Sequence, residues 1–214
     1  MRGLTVLLAV GAAFAMTAPA VAQAPLITLA IGKPSGGPHG TVTTVRFGEV
    51  VEVSGDIMDN RAGDTVEVTI APYRGEPTIR QIVTGTDGEF TLTDRPTIRT
   101  SYTARWRGVT SVEEPLAHVA PILGLRVRNA SLGRFQVTMQ AQPEHASRVI
   151  WFQRRVTESR WTTVKKVQLR GDRLSARFTA RLPRGMHRVR ASVPQTPGYL
   201  RATSAFVRVR GYGR

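Results

Sequence analysis

Glu49-Val50-Val51-Glu52-Val53-Ser54-Gly55-Asp56-Ile57 and Asp64-Thr65-Val66-Glu67-Val68-Thr69-Ile70 are the segments that decide the fold class. In the first, Val51, Val53 and Ile57 fall on one face and Glu52, Ser54 and Asp56 on the other. In the second, Val66, Val68 and Ile70 lie opposite Glu67 and Thr69. A period of two places successive side chains on opposite sides of a pleated strand, so each segment reads as a strand with one buried face. Outward from this pair, 26–31, 79–84, 89–93, 100–107 and 109–119 read as further strands. Residues 32–40 read as a Gly/Pro-rich loop, and Asp87-Gly88 as a hairpin turn. No stretch after residue 22 shows apolar residues at helical spacing over a helix's length, which points to an all-β sandwich or barrel.

The same plan restarts after Pro121. Strands are expected at 123–128, 134–142, 148–156, 162–169, 173–182, 186–193 and 202–210. Phe135, Val137, Met139 and Ala141 share one face, and Ala176, Phe178, Ala180 and Leu182 share another. A β-sandwich needs roughly 100 residues for its own core, so a chain of 214 accommodates two. The expected organisation is a signal peptide over 1–22, one antiparallel β-sandwich over 23–120 and a strongly basic second one over 121–214. The short boundary at Ala120-Pro121 implies restricted freedom between the two.

The first 22 residues carry the leader signals. Arg2 supplies a positive start, 4–15 is apolar and too short to span a bilayer comfortably, and Ala20-Val21-Ala22 fits small-x-small cleavage before Gln23. The expected location is therefore secreted, extracellular or cell-wall associated, with no transmembrane span after cleavage. The chain has no cysteine, which excludes a disulfide framework, a thiol nucleophile and a thiolate zinc site.

The formal net charge of +15 is unevenly spread. Residues 23–119 hold 9 Lys and Arg against 12 Asp and Glu; residues 120–214 hold 20 against 3. Such asymmetry points to polyanion contact by the basic half. Arg188 and Arg190 alternate with Val189 and Ala191, and Arg208 and Arg210 alternate with Val207 and Val209. On the neighbouring last two strands of a sandwich these four guanidinium groups would share an outer face. Aligned like charges cost stability, and bidentate contacts to an anionic polymer would offset that cost; the other reading of the same four residues is a solvated arginine face.

Gly48-Glu49-Val50-Val51-Glu52-Val53-Ser54-Gly55, Ala62-Gly63-Asp64-Thr65-Val66, Thr86-Asp87-Gly88-Glu89-Phe90, Arg95-Pro96 and Thr100-Ser101-Tyr102-Thr103-Ala104 resemble the repeated immunoglobulin-like modules of secreted actinobacterial proteins. The second half is similar through 185–191 and Gly198-Tyr199. The resemblance implies tandem Ig-like sandwiches with display, spacing or binding roles, and no reaction. It places Tyr102 at a structural tyrosine corner, bonded to backbone, with Ala104 where antibody domains carry cysteine. In the second half His187 and Val189 take those places. Trp151 is a candidate for the buried tryptophan of such folds, although Ile150 and Phe152 fit a core face equally well.

Other chemistry has thinner support. His39, His118, His145 and His187 are scattered, so neither a metal nor a catalytic role is expected. Asp56, Asp59, Asn60 and Asp64 supply oxygen ligands of the kind calcium takes, but at the spacing of an ordinary turn. Gly36, Gly37 and Gly40 lack the features of a phosphate loop. Arg170-Gly171-Asp172 spells a tripeptide that integrins read, and is taken as a hairpin turn. No cofactor is expected. The leading functional expectation is an exported, non-catalytic structural or binding module of the envelope. The alternative is an adhesin that binds teichoic acid, acidic glycan or anionic lipid through Arg188, Arg190, Arg208 and Arg210. A hydrolase is the remote third reading, and nucleic acid is the least expected partner of an exported chain.

Overall fold

The computed structural model describes residues 26–34, 39–58 and 62–213. The leader, Gly36, Gly37, Asp59 and Asn60 lie outside the described residues. Every regular element among the described residues is a strand. The first half contains β1 (Ile27–Gly32), β2 (Val42–Arg46), β3 (Val51–Ile57), β4 (Thr65–Pro72), β5 (Thr78–Val83), β6 (Glu89–Asp94), β7 (Thr100–Trp106), β8 (Val109–Thr110) and β9 (Leu116–Ala120). The second contains β10 (Ile122–Asn129), β11 (Arg134–Gln140), β12 (Val149–Arg155), β13 (Trp161–Gln168), β14 (Ser175–Thr179), β15 (Gly185–Val193), β16 (Ala202–Thr203) and β17 (Val207–Gly211).

Each half stacks two sheets. In the first, β1-β3-β6 faces β2-β9-β7-β4-β5, with β8 on β7. In the second, β10-β11-β14 faces β13-β12-β15, and β16 and β17 both pair with β15. Thus β1, β3 and β6 correspond to β10, β11 and β14, and β5, β4 and β7 correspond to β13, β12 and β15. The alternation seen in the sequence is what fills the space between sheets. Val51, Val53, Ile57, Val66 and Val68 are fully buried in one core, and Phe135, Val137, Ile150, Phe152 and Val189 in the other. Phe152 lies 4.6 Å from Phe135 and 5.1 Å from Phe178, centroid to centroid, which gives the second core an aromatic centre. β3 carries a glycine at Gly55 because the Phe90 ring opposite it and the Thr28 carbonyl beside it occupy the place of a Cβ.

Three expectations change. Residues 42–46 form β2, which had been passed over: only Val45 is buried there, and the strand exists by parallel pairing with β9, which the sequence places about seventy residues later. The turn at Asp87-Gly88 is present, with Gly88 at φ 79°, but it joins β5 and β6, which belong to different sheets, so it closes no hairpin. The expected strands at 109–119 and 202–210 are each broken in two.

Only Pro121 separates β9 from β10. The loop after β15 returns to this joint. Tyr199 is buried within the first core, although it belongs to the second half of the chain. Its hydroxyl donates to the Thr97 carbonyl at 2.7 Å and accepts the Gln142 amide at 2.7 Å. The Arg99 amide donates to the Gly198 carbonyl, and the Leu200 amide to that of Val119. Ala141 and Ala146 pack against both cores.

Candidate functional site

Arg188 and Arg208 are directly opposed on β15 and β17, and Arg210 opposes Met186. Val189, Ala191 and Val209 are buried beneath them, so the arginines stand on the outer side of the sheet. Arg190 lies one pleat further along, opposite Gln153 of β12. Its Nε donates to Gln153 Oε1 at 3.0 Å and its guanidinium carbon sits 4.1 Å from the Trp161 ring centroid on β13. One arginine side chain therefore crosses β12 and rests on β13. Arg188 sits 5.1 Å over the ring of Phe206. Burial in this packing, followed by the charge of Arg201, draws the Arg190 pKa below its ordinary value.

Two β-bulges make this arrangement. On β13 the register passes from Phe152↔Lys165 to Gln153↔Thr163, so Val164 is an extra residue. Without it, Trp161 would share the parity of Val167 and face the core. Between β16 and β17 the partners of β15 pass from Ser192↔Thr203 to Val189↔Val207, again with one extra residue. Here Ala205 and Phe206 are both exposed, and the shift turns Arg208 and Arg210 outward. Ser204 stitches the bulge: its amide donates to the Ala191 carbonyl and its Oγ accepts the Ala191 amide. A bulge gives up ladder regularity to re-aim side chains, and these two deliver the aromatic partners of Arg190 and Arg188.

No acid lies on this sheet. Glu144, Glu158 and Asp172, the acids of the second half, are all in loops. The ion pairs among the described residues, Lys33–Glu49, His39–Glu52 and Arg107–Asp64, all belong to the first half. Among the described residues the side chains of Arg188, Arg208 and Arg210 make no hydrogen bond or ion pair; their backbones belong to the β15–β17 ladder. The opposite sheet is also basic: Arg128, Arg134 and Arg177 line a cleft with Phe178 and Thr179.

Tyr102 is fully buried on β7, and its hydroxyl donates to Asp94 Oδ2 at 2.8 Å. The expected backbone acceptor is replaced by a carboxylate. Burial, then the Asp94 charge, raises the phenol's pKa well above its ordinary value. His187, at the matching place, bonds the Pro183 carbonyl through Nε2 at 2.8 Å, a local backbone tie of the kind expected of the tyrosine. The backbone-bonded tyrosine is Tyr199, which the sequence offered only as part of the resemblance of the second half. Trp151 is half-buried on the outer face; Ile150 and Phe152 take the core positions.

Of the Asp56–Asp64 cluster, Asp56 and Asp64 are among the described residues. Asp56 lies on β3, while Asp64 accepts the Trp106 indole N–H at 3.0 Å and pairs with Arg107 at 3.2 Å. Among the described residues no group of three or more His, Asp or Glu could hold a metal ion. Gly40 is bridged to Ile31 through backbone. Arg170-Gly171-Asp172 is exposed in a turn closed by the Arg170↔Ser175 bridge, and Leu174, at φ 41°, anchors it in the core. This turn too links different sheets rather than a hairpin pair.

One constellation was missed. His39 Nδ1 lies 2.8 Å from Ser54 Oγ and Nε2 lies 3.6 Å from Glu52 Oε1. Serine, imidazole and carboxylate thus meet on β3. Acyl transfer also needs free donors aimed at a developing oxyanion. Ser54 is on a central strand, with its backbone in register with Ala30 on one side and Thr91 on the other. The trio is read as a surface hydrogen-bond chain holding residue 39 against the sheet.

No family model matches the chain, and no curated protein matches it. Among solved structures, it is similar to a tetra-tandem repeat from the extending region of a large adhesion protein, at 16% identity and a TM-score of 0.41. The alignment covers 87% of this chain and 49% of that one, so the chain spans about half the length of its neighbour.

Proposed function

We propose that the protein is an exported, non-catalytic tandem β-sandwich of the cell envelope or extracellular space. It holds an anionic polymer on the outer face of β12, β13, β15 and β17. The observation that carries this reading is Arg188 directly opposite Arg208 on a sheet with no acid. Like charges facing each other across strands are destabilising. An extended polyanion lying across the sheet removes that repulsion and gains charge-assisted hydrogen bonds. The leader-like first residues supply the export half of the proposal. A structural spacer is the second reading, favoured by the Tyr199 joint, which ties the two halves through backbone groups.

The test compares Arg188, Arg190, Arg208 and Arg210, all changed to Gln, with the exposed arginines Arg80, Arg148, Arg160 and Arg173 changed likewise. Binding to teichoic acid, acidic glycan and anionic vesicles is measured as salt rises. Screening shortens the Debye length from about 10 Å at 0.1 M to about 3 Å at 1 M. The first variant should lose at least about tenfold more affinity than the second at low salt, a difference of ~1.4 kcal/mol. Equal losses would show charge attraction without a site. No binding to any of the three would leave the spacer reading standing.

A further inference from the structure

We infer that the face is built for an acidic polysaccharide, whose carboxylate or sulfate groups are taken by the stacked guanidinium planes of Arg188 and Arg190. This deepens the proposed function and rests on it. A patch selected for charge alone needs only exposed cations. Here two arginines rest on partners: Arg190 on Gln153 and Trp161, Arg188 on Phe206. Both aromatic rings reach the outer face through a strand irregularity, Val164 in one case and the Ser204–Phe206 bulge in the other. Stacking on a ring fixes the plane of a guanidinium and leaves its edge free. Within the protein Arg190 donates through its Nε, which leaves its terminal N–H groups as a fork for an incoming oxyanion. An oxyanion received by such a fork is held in a set orientation, at a smaller loss of side-chain entropy than a mobile lysine would suffer.

The rest of the face suits a sugar. Phe206 is 50% exposed and Trp151 is half-buried, so apolar ring surface remains for the C–H face of a pyranose. Thr163 and Thr203 are exposed on the same side and offer hydroxyl partners. Successive residues of one face repeat at about 6.6 Å along a strand. The side chains of Arg188 and Arg190 leave neighbouring outward positions of β15 and lean apart, Arg190 over Trp161 of β13 and Arg188 over Phe206 beside β17, so their forks suit a polymer that lies across the strands and carries its charges on separate sugars. A polyphosphate has no apolar face with which to use Phe206 and Trp151. A bilayer has no ordered oxyanions for oriented forks to read, and Trp161 lies beneath its arginine rather than above it.

The test expresses the full chain and measures binding of the purified protein to polygalacturonate, to polyphosphate of matched charge, and to phosphatidylglycerol vesicles. The variants are Arg188→Lys with Arg190→Lys, Trp161→Leu, and a control with Arg126→Lys and Arg177→Lys on the opposite sheet. Melting curves establish that each is folded. The expected result is polygalacturonate bound at least about tenfold more tightly than either other probe, with that preference lost in the first lysine variant and kept in the control. If Trp161→Leu fails to fold, the lysine pair, which preserves charge, still decides. Undiminished binding in the Arg188/Arg190 lysine variant, or equal affinity for polyphosphate, overturns the polysaccharide assignment while the anionic-polymer reading stands. Tightest binding to vesicles overturns it in favour of a membrane. Absence of binding to all three removes both readings.

Discussion

Replacing Tyr199 by phenylalanine removes one oxygen and keeps the ring that packs in the first core. That oxygen accepts the Gln142 amide and donates to the Thr97 carbonyl, each at 2.7 Å. The variant leaves a backbone donor and a backbone acceptor without their partner at the joint between the two cores. A typical hydrogen bond contributes about 1 kcal/mol net, and an unsatisfied buried group costs about 1–3 kcal/mol. Gln142 and Thr97 are half-buried, so water recovers part of the loss. The expected destabilisation is therefore ~2 kcal/mol, near the low end for two groups. At about 2–4 °C per kcal/mol for a chain of this size, the melting temperature should fall by roughly 4–8 °C. Calorimetry of the full chain measures the fall, and amide exchange reports protection at Gln142 directly. The melting profile should also broaden towards two transitions, because the residue that couples the cores has been weakened. A shift below about 1 °C with Gln142 still protected would refute the claim that this phenol ties the halves together.

Tyr102→Phe should cost about 1.5 kcal/mol, the low end for a hydrogen bond to a charged group because Asp94 is only half-buried, as measured by urea denaturation. Tyr102 and Tyr199 both have pKa values raised above the ordinary 10.0 by burial. The folded chain therefore keeps protons that the unfolded chain releases, so stability should be full below about pH 10 and fall as pH rises beyond it, less steeply in Tyr102→Phe. Mass spectrometry of the exported protein should give Gln23 as the first residue; a dominant membrane form retaining Met1 refutes the leader reading. Fragments 23–120 and 121–214 should each show β-type circular dichroism and cooperative melting, with 23–120 the weaker because it lacks Tyr199. Disorder of both alone, with folding only together, would refute the two-domain division.

Alternation carried most of the fold into the sequence. Val51, Val53, Val66, Val68, Phe135 and Val137 were legible as core because a strand with one dry face must place apolar side chains at every second residue. The outward arginines were legible for the same reason, being the other half of the same pattern. Charge distribution was readable by counting, since the scarcity of acids in the second half needs no coordinates. What the period of two cannot carry is a change of register. Trp161 and Phe206 reach the outer face because one extra residue at each bulge reverses the parity of everything beyond it. A bulge is settled by pairing with a distant strand, not by its own residues. The parallel partner of β2, the sheet change after Asp87-Gly88, and the meeting of His39 with Ser54 and Glu52 have the same non-local origin. Tyr199 shows this most plainly. Locally it is a residue after a glycine in a turn. Its role comes from Thr97 and Gln142, 102 and 57 residues away along the chain. The sequence by itself determined two alternating β halves and a basic outer face, because those depend on each strand's own pattern of apolar and polar groups. Tertiary structure alone decided which aromatic lies under which arginine and which phenol joins the halves, because those contacts exist only once separate strands have chosen their partners.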